Sequence, residues 1–162
     1  MAYGENRDIS KEISLGQPTV RPVRVEDWLV VQSIFAESGL TVTAGSAADL
    51  FGDTTVRMHI CEIEGEIVAA LHWRTIAPEA EILDIAVKNT HHRRGRATLL
   101  MQHFLQHAGS MGIHKIFLEV RESNLPAMAL YKKFGFASVG RRPNYYRNPD
   151  EAALLFQLSL AG

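Results

Sequence analysis

With a single cysteine, Cys61, in 162 residues, the chain has no internal disulfide and no metal site built on several thiolates. No apolar run approaches the roughly 20 residues that a membrane span requires. The opening stretch, "MAYGENRDISKEISLG", lacks the apolar segment of a signal peptide, and the expectation is a soluble cytoplasmic protein with no membrane partner. Charge of one sign is missing too: 17 Lys and Arg face 18 Asp and Glu, for a formal net charge of -1. That balance argues against a nucleic-acid partner, which a strongly basic domain would announce, so any anion binding must be local. No Gly-Lys-Ser/Thr phosphate loop and no three-glycine dinucleotide fingerprint occurs. His103 and His107 share a helix face, but no HExxH glutamate and no third ligand accompanies them, so no metal is expected.

What the chain does contain is ordinary for a globular protein, with 46% hydrophobic and 22% charged residues and no internal repeat. Residues 1–18 lack any period and read as a loose arm, which leaves 19–162 as one domain. "TVRPVRV" alternates as a strand, with Pro22 marking an edge. Trp28, Leu29, Val31, Ile34 and Phe35 recur at helical spacing from Glu26 to about Ser38, and a short helix follows from about Ser46 to Phe51. "TTVRMHICEI" and "IVAALHWRTI" flank the turn "EGE" as a hairpin. "AEILDIAV", apolar at nearly every position, reads as a strand buried on both faces. A helix beginning near Arg94, the strand "KIFLEV", a helix over 124–134 and two last strands complete a mixed α/β order with at least one crossover helix.

The segment "HHRRGRATLL", residues 91–100, places arginines and a glycine between a strand and a helix. The first turn of a helix carries unpaired N–H groups and the positive end of the helix dipole, which together bind anions. Gly95 and Ala97 would admit a phosphate close to the backbone, and Arg93, Arg94 and Arg96 would add charge. By itself the segment fits a solvated helix start equally well.

"HHRRGRA" after "ILDIAV" resembles the acetyl-CoA pyrophosphate loop of the GNAT acyltransferase superfamily, (Gln/Arg)-x-x-Gly-x-(Gly/Ala), with His92 at the Gln/Arg position. "FLEVRESNLPAMALYKKFGF" and "RRPNYY" are similar to the later signature and the substrate loop of its RimI-type members, the ribosomal-protein-alanine N-acetyltransferases. The resemblance spans about residues 19–160 and is strongest from 81 to 147. It implies a mostly antiparallel twisted sheet with a central parallel strand pair flanked by helices, and a monomer or homodimer. It also implies acetyl-CoA as cosubstrate and a protein or peptide N-terminus, a ribosomal one included, as acceptor.

Carried residue by residue, the resemblance implies that the backbone of Ile85, Ala86 and Val87 holds the pantetheine and the acetyl carbonyl. Arg93, Arg94, Gly95, Arg96, Ala97 and Thr98 wrap the pyrophosphate, and Asn124 faces the cofactor arm. Glu119 matches the general base and Tyr131 the general acid, while Tyr145 and Tyr146 meet the acceptor. An α-amine, with a reference pKa of about 8, asks less of a carboxylate base than a lysine at about 10.4. Asp84, on the strand of Ile85, Ala86 and Val87, is a second candidate base or an inward structural carboxylate. Glu119 and Tyr131 have structural alternatives too, as a strand-end carboxylate and a core aromatic. Three competing functions stand beside the leading one: acetylation of a lysine, polyamine or other small amine; a non-catalytic acyl-CoA sensor; and nucleic-acid binding through the arginines, for which no aromatic platform is present.

Overall fold

The structure is a computed structural model that describes residues 16–40 and 47–161. Most of the expected N-terminal arm, residues 1–15, and the expected start of the second helix at Ser46 lie outside the described residues. Seven strands, β1 (Thr19–Pro22), β2 (Val56–Ile63), β3 (Glu66–Ile76), β4 (Glu79–Val87), β5 (Lys115–Arg121), β6 (Ala137–Tyr146) and β7 (Glu151–Ser159), form one sheet in the order β1-β2-β3-β4-β5-β7-β6. Among the described residues four α-helices accompany it: α1 (Trp28–Glu37), α2 (Ala47–Gly52), α3 (Arg96–Ser110) and α4 (Leu125–Lys133). Among the described residues only β4 and β5 pair in parallel, which is the mostly antiparallel arrangement with one central parallel pair that the resemblance implied.

Local chemistry accounts for the elements. Glu64 and Gly65 both adopt positive φ, as a two-residue hairpin turn demands, and the right-handed strand twist carries straight through. On α1 the buried residues Trp28, Val31, Ile34 and Phe35 form one stripe, and Gly39 at φ +68 ends the helix. The helix expected near Arg94 begins instead at Arg96. Gly95 is left-handed at φ 72 and cannot join the helix, so it caps the first turn.

The sheet separates two apolar layers. Leu100, Met101 and Phe104 of α3 pack with Met128 and Tyr131 of α4 against Leu71, Trp73, Ile82 and Leu118 on one face. Residues of α1 and α2 pack against Met58, Ile60, Ala70 and Ala86 on the other. Between His72 and Trp73 the pairing of β3 with β4 slips by one residue, so that Trp73 faces Ile82 while His72 faces Asp84, and Leu83 is the extra residue of a bulge. Ala80 and Ile82 therefore join the α3 layer before the bulge, and Ile85 and Val87 join it after. Full burial of β4 does not follow: Leu83, Asp84 and Ile85 are only partly covered.

A charged cluster ties β1 to the entry of α1. Arg21 donates to both oxygens of Asp27 at 2.7 and 3.1 Å and to Glu62 at 3.0 and 2.8 Å. The Arg21 guanidinium and the Arg24 N–H hold the Asp27 carboxyl below its usual range, against a burial that works the other way. Removing the cation from a carboxylate that is only 7% exposed leaves it desolvated and underpaired. Arg21→Met should therefore cost roughly 1–3 kcal/mol near neutral pH. Because the folded pKa of Asp27 is depressed, the difference from the parent is complete above the unfolded value of about 3.9 and shrinks as pH falls through the folded one. Urea unfolding of both proteins between pH 3 and 7 would read this, and a gap independent of pH would refute it.

Candidate functional site

Parallel pairing of β4 with β5 lasts only from Glu79–Lys115 to Ile82–Leu118. Beyond that point β4 follows β3 through the bulge while β5 stays in unbroken register with β7 as far as Arg121, and the two strands part. A cleft of about 350 Å³ opens in the gap. Asp84, Ile85, Glu119, Asn124, Tyr131, Tyr145 and Tyr146 all line it, so seven of the residues singled out from sequence meet in one place. Ala86 and Val87 continue β4 past the cleft, and residues 93–98 form the turn and first helical residues that follow.

Alternation along β5 sends Leu118 and Val120 into the α3 layer and Glu119 to the opposite face. Tyr131 belongs to the α3 layer. The carboxylate and the phenol thus approach the gap from opposite sides of the sheet. Glu119 is held by Arg142 of β6, which reaches across β7 to 3.0 Å, and by a hydrogen bond from the Tyr145 hydroxyl. The Tyr145 ring stands edge-on to Tyr146, whose face carries the Arg121 guanidinium at 4.3 Å. "RRPNYY" is not a free loop: it is the end of edge strand β6, where the register with β7 shifts between Arg142 and Tyr146 and Asn144 takes φ 52. That bulge turns two successive tyrosines toward the cleft.

Burial shapes the electrostatics. It pushes the Tyr131 hydroxyl well above its ordinary value, with the nearby Asp84 and Tyr146 adding to the effect, and carries Tyr146 to about 12. Asp84 is pushed up to about 7 by desolvation, and among the described residues no hydrogen bond or ion pair reaches its carboxyl.

At the far end of β4 the turn has the traits of an anion cradle. Helix α3 has no side-chain cap at its N-terminus, whereas α4 has one: Asn124 Oδ1 accepts from the Ala127 N–H at 3.2 Å. Arg93 and Gly95 are both left-handed, and a Cβ at Gly95 would meet nothing within 4 Å. Two buried nitrogens of the segment, His91 Nδ1 and Arg96 Nε, have no partner. Among the described residues no ion pair reaches Arg93, Arg94 or Arg96. Unpaired donors and cations at an uncapped helix start fit a pyrophosphate. His92 has a different part, since its Nε2 donates to the Val87 carbonyl at 2.8 Å and pins the turn to the end of β4.

The model of the acetyltransferase (GNAT) family matches residues 23–136, most of the chain. The chain belongs to the GNAT family. As a GNAT member it is an N-acetyltransferase, and its relatives agree. The [ribosomal protein bS18]-alanine N-acetyltransferase of Escherichia coli (strain K12) is 32% identical over 99 residues, or 60% of this chain and 67% of the relative. The crystal structure of the ribosomal-protein-S18-alanine N-acetyltransferase from Escherichia coli superposes with a TM-score of 0.80 at 25% identity, over 90% of this chain and 97% of that one. That of Ard1 from Thermoplasma volcanium gives 0.81 at 26%, over 90% and 99%.

Sequence reading missed Arg142 as the partner of Glu119, the bulge at Leu83 and the orphaned nitrogens of His91 and Arg96. No spacing rule signals an ion pair that crosses an intervening strand. Nor does an unbroken apolar run disclose a bulge within it.

Two outcomes follow for this GNAT site. Asp84 binds its proton more tightly folded than unfolded, so it costs stability as pH rises from about 3.9 toward its folded value of about 7. Asp84→Asn should gain on the parent over that range, reaching roughly 2–4 kcal/mol by pH 8 in thermal or urea unfolding, and equal stability at pH 5 and pH 8 would contradict it. Gly95→Ala meets no steric obstacle, so its cost is conformational, about 1 kcal/mol for a left-handed residue. A loss several times larger would mean that the turn is packed more tightly than this.

Proposed function

We propose that this N-acetyltransferase transfers the acetyl group of acetyl-CoA to the α-amine of a protein or peptide N-terminus, ribosomal proteins included, by direct transfer in a ternary complex. The observation that carries the proposal is the approach of Glu119 and Tyr131 to one cleft from opposite sides of the sheet, where β4 and β5 part. Names of the relatives support the acceptor: the Escherichia coli enzyme is a ribosomal-protein-alanine N-acetyltransferase, and a 30% identical relative from Sulfurisphaera tokodaii is an N-alpha-acetyltransferase.

In this reading acetyl-CoA lies with its pyrophosphate at residues 93–98 and its arm along Ile85, Ala86 and Val87, whose edge toward β5 is left without a strand partner. Asn124, capping α4 from the cleft wall, borders the arm. Tyr145 and Tyr146 border the acceptor. The amine nitrogen attacks the thioester carbon, a C–N bond forms, the C–S bond breaks and the thiolate leaves. Glu119 takes the amine proton through water. Held by Arg142 and Tyr145, its carboxylate has a fixed direction, which is what an oriented base needs.

Tyr131 serves the departing sulfur. Burial keeps its hydroxyl protonated across the working pH range, so a donor is always present. Complete proton transfer to a thiolate of reference pKa about 8.5 runs uphill from a phenol of about 10. The hydroxyl therefore acts chiefly as a hydrogen-bond donor to the developing charge.

Thiol release from acetyl-CoA, measured with Ala- and Ser-initiated peptides, small amines and no acceptor, tests the proposal. Peptide-dependent release with mass added at the α-amine is expected. Tyr131→Phe should lower kcat roughly a hundredfold while acetyl-CoA affinity changes less than about threefold. A fully active variant would remove Tyr131 from the chemistry, and silence with every peptide would overturn the acceptor.

A further inference from the structure

Beside the cleft, on the α1 and α2 face, lies a second recess of about 470 Å³. The two share Glu81, Leu83 and Tyr145 as walls, so a chain leaving the first enters the second. His72 lines the recess and is only 1% exposed, yet neither Nδ1 nor Nε2 has a hydrogen-bond partner. The other buried imidazole of β2 and β3 differs: His59 Nδ1 accepts from Trp73 Nε1 at 3.3 Å. An imidazole with both nitrogens unmet is a polar group kept at a cost and calls for a partner that a ligand can bring.

Around it the charge is one-sided. Among the described residues, Asp49, Asp53 and Glu81 line the recess against one cation, Arg74, which is already engaged by Glu81 at 2.6 Å. Hydrogen bonds from the Thr55 hydroxyl and N–H hold Asp53 below the usual carboxylate range, so it stays ionised. His72 is pushed down to about 4 by burial, so its ring is neutral and offers an acceptor nitrogen without repelling a cation.

We propose that this recess, with His72 and the carboxylates of Asp49, Asp53 and Glu81, is the site for a second cationic nitrogen of the acceptor. The inference rests on the acceptor reading above and deepens it. In a peptide the nitrogen belongs to a lysine or arginine at the second or third residue, since extended chain advances roughly 3.5 Å per residue away from the reacting amine. A small polyamine would present the same chemistry.

The test pairs binding with turnover on the full chain. Peptides Ala-Arg, Ala-Gln and Ala-norleucine with a common remainder, together with spermidine and a monoamine of equal length, are compared by equilibrium titration and by acetylation in the presence of acetyl-CoA. The basic peptide should bind and react roughly five- to tenfold better than the neutral ones, through KM rather than kcat. Asp53→Asn keeps the turn with Thr55 and should abolish much of that preference, and the His72 ring resonances should shift on adding the basic peptide alone. A preference for spermidine over the monoamine without one among peptides supports the recess and makes the ligand a polyamine. Preferential binding of basic peptides with no acetylation also supports it while overturning the α-amine reading. Equal affinity for basic and neutral acceptors, or a preference that survives Asp53→Asn with unmoved His72 resonances, sinks the inference and leaves the α-amine reading intact.

Discussion

Four consecutive register pairs, from Glu79–Lys115 to Ile82–Leu118, hold β4 and β5 together, and the rest of the molecule depends on their ending where they do. A parallel pair continued to the ends of both strands would fill the gap with its own hydrogen bonds and leave no opening between the faces. Each strand is drawn away by its other neighbour. β4 is committed to β3 through the bulge, and β5 to β7 through seven pairs without irregularity. The cleft is the space that these two allegiances leave.

Since the opening passes through the sheet, the groups around it live in different surroundings. Tyr131 sits in the apolar layer with α3 and α4 and is driven toward its neutral form. Glu119, on the other face, meets the Arg142 guanidinium and the Tyr145 phenol. Asp84, without a partner among the described residues, is pushed up to about 7 by desolvation. Separate environments for a phenol and a carboxylate that line one cleft arise here from strand alternation and from which helix covers which face.

Most of the architecture was legible in the sequence because it rests on local rules. The helical stripe of Trp28, Val31, Ile34 and Phe35, the hairpin at Glu64 and Gly65 and the stop at Gly39 all follow from periodicity or from the φ that a turn requires. Family resemblance supplied Glu119, Asn124, Tyr131 and the tyrosine pair, whose roles no periodicity reveals. What stayed hidden depends on pairs far apart in sequence. Arg142 finds Glu119 only because β7 inserts between β5 and β6, and His72 comes to face Asp84 only because the bulge shifts the register. The helix start expected at Arg94 fell two residues late because a glycine able to adopt positive φ did so.

The bulge at Leu83 acts on β4 as a shift of reading frame acts on a message. Before it, even-numbered residues, Ala80 and Ile82, enter the α3 layer; after it, odd-numbered ones, Ile85 and Val87, do so. Asp84 and Ala86 are sent to the face that α1 and α2 cover by that one supernumerary residue. Side chains along this strand are therefore open to exchange by substitution, each altering one contact, whereas the place of its bulge is not. Drawing Leu83 into the ladder instead of leaving it unpaired would invert every side chain downstream, burying a carboxyl in the apolar layer and presenting isoleucine where the acid stood. The register of the strand is thus a constraint in its own right, separate from the identity of any residue in it.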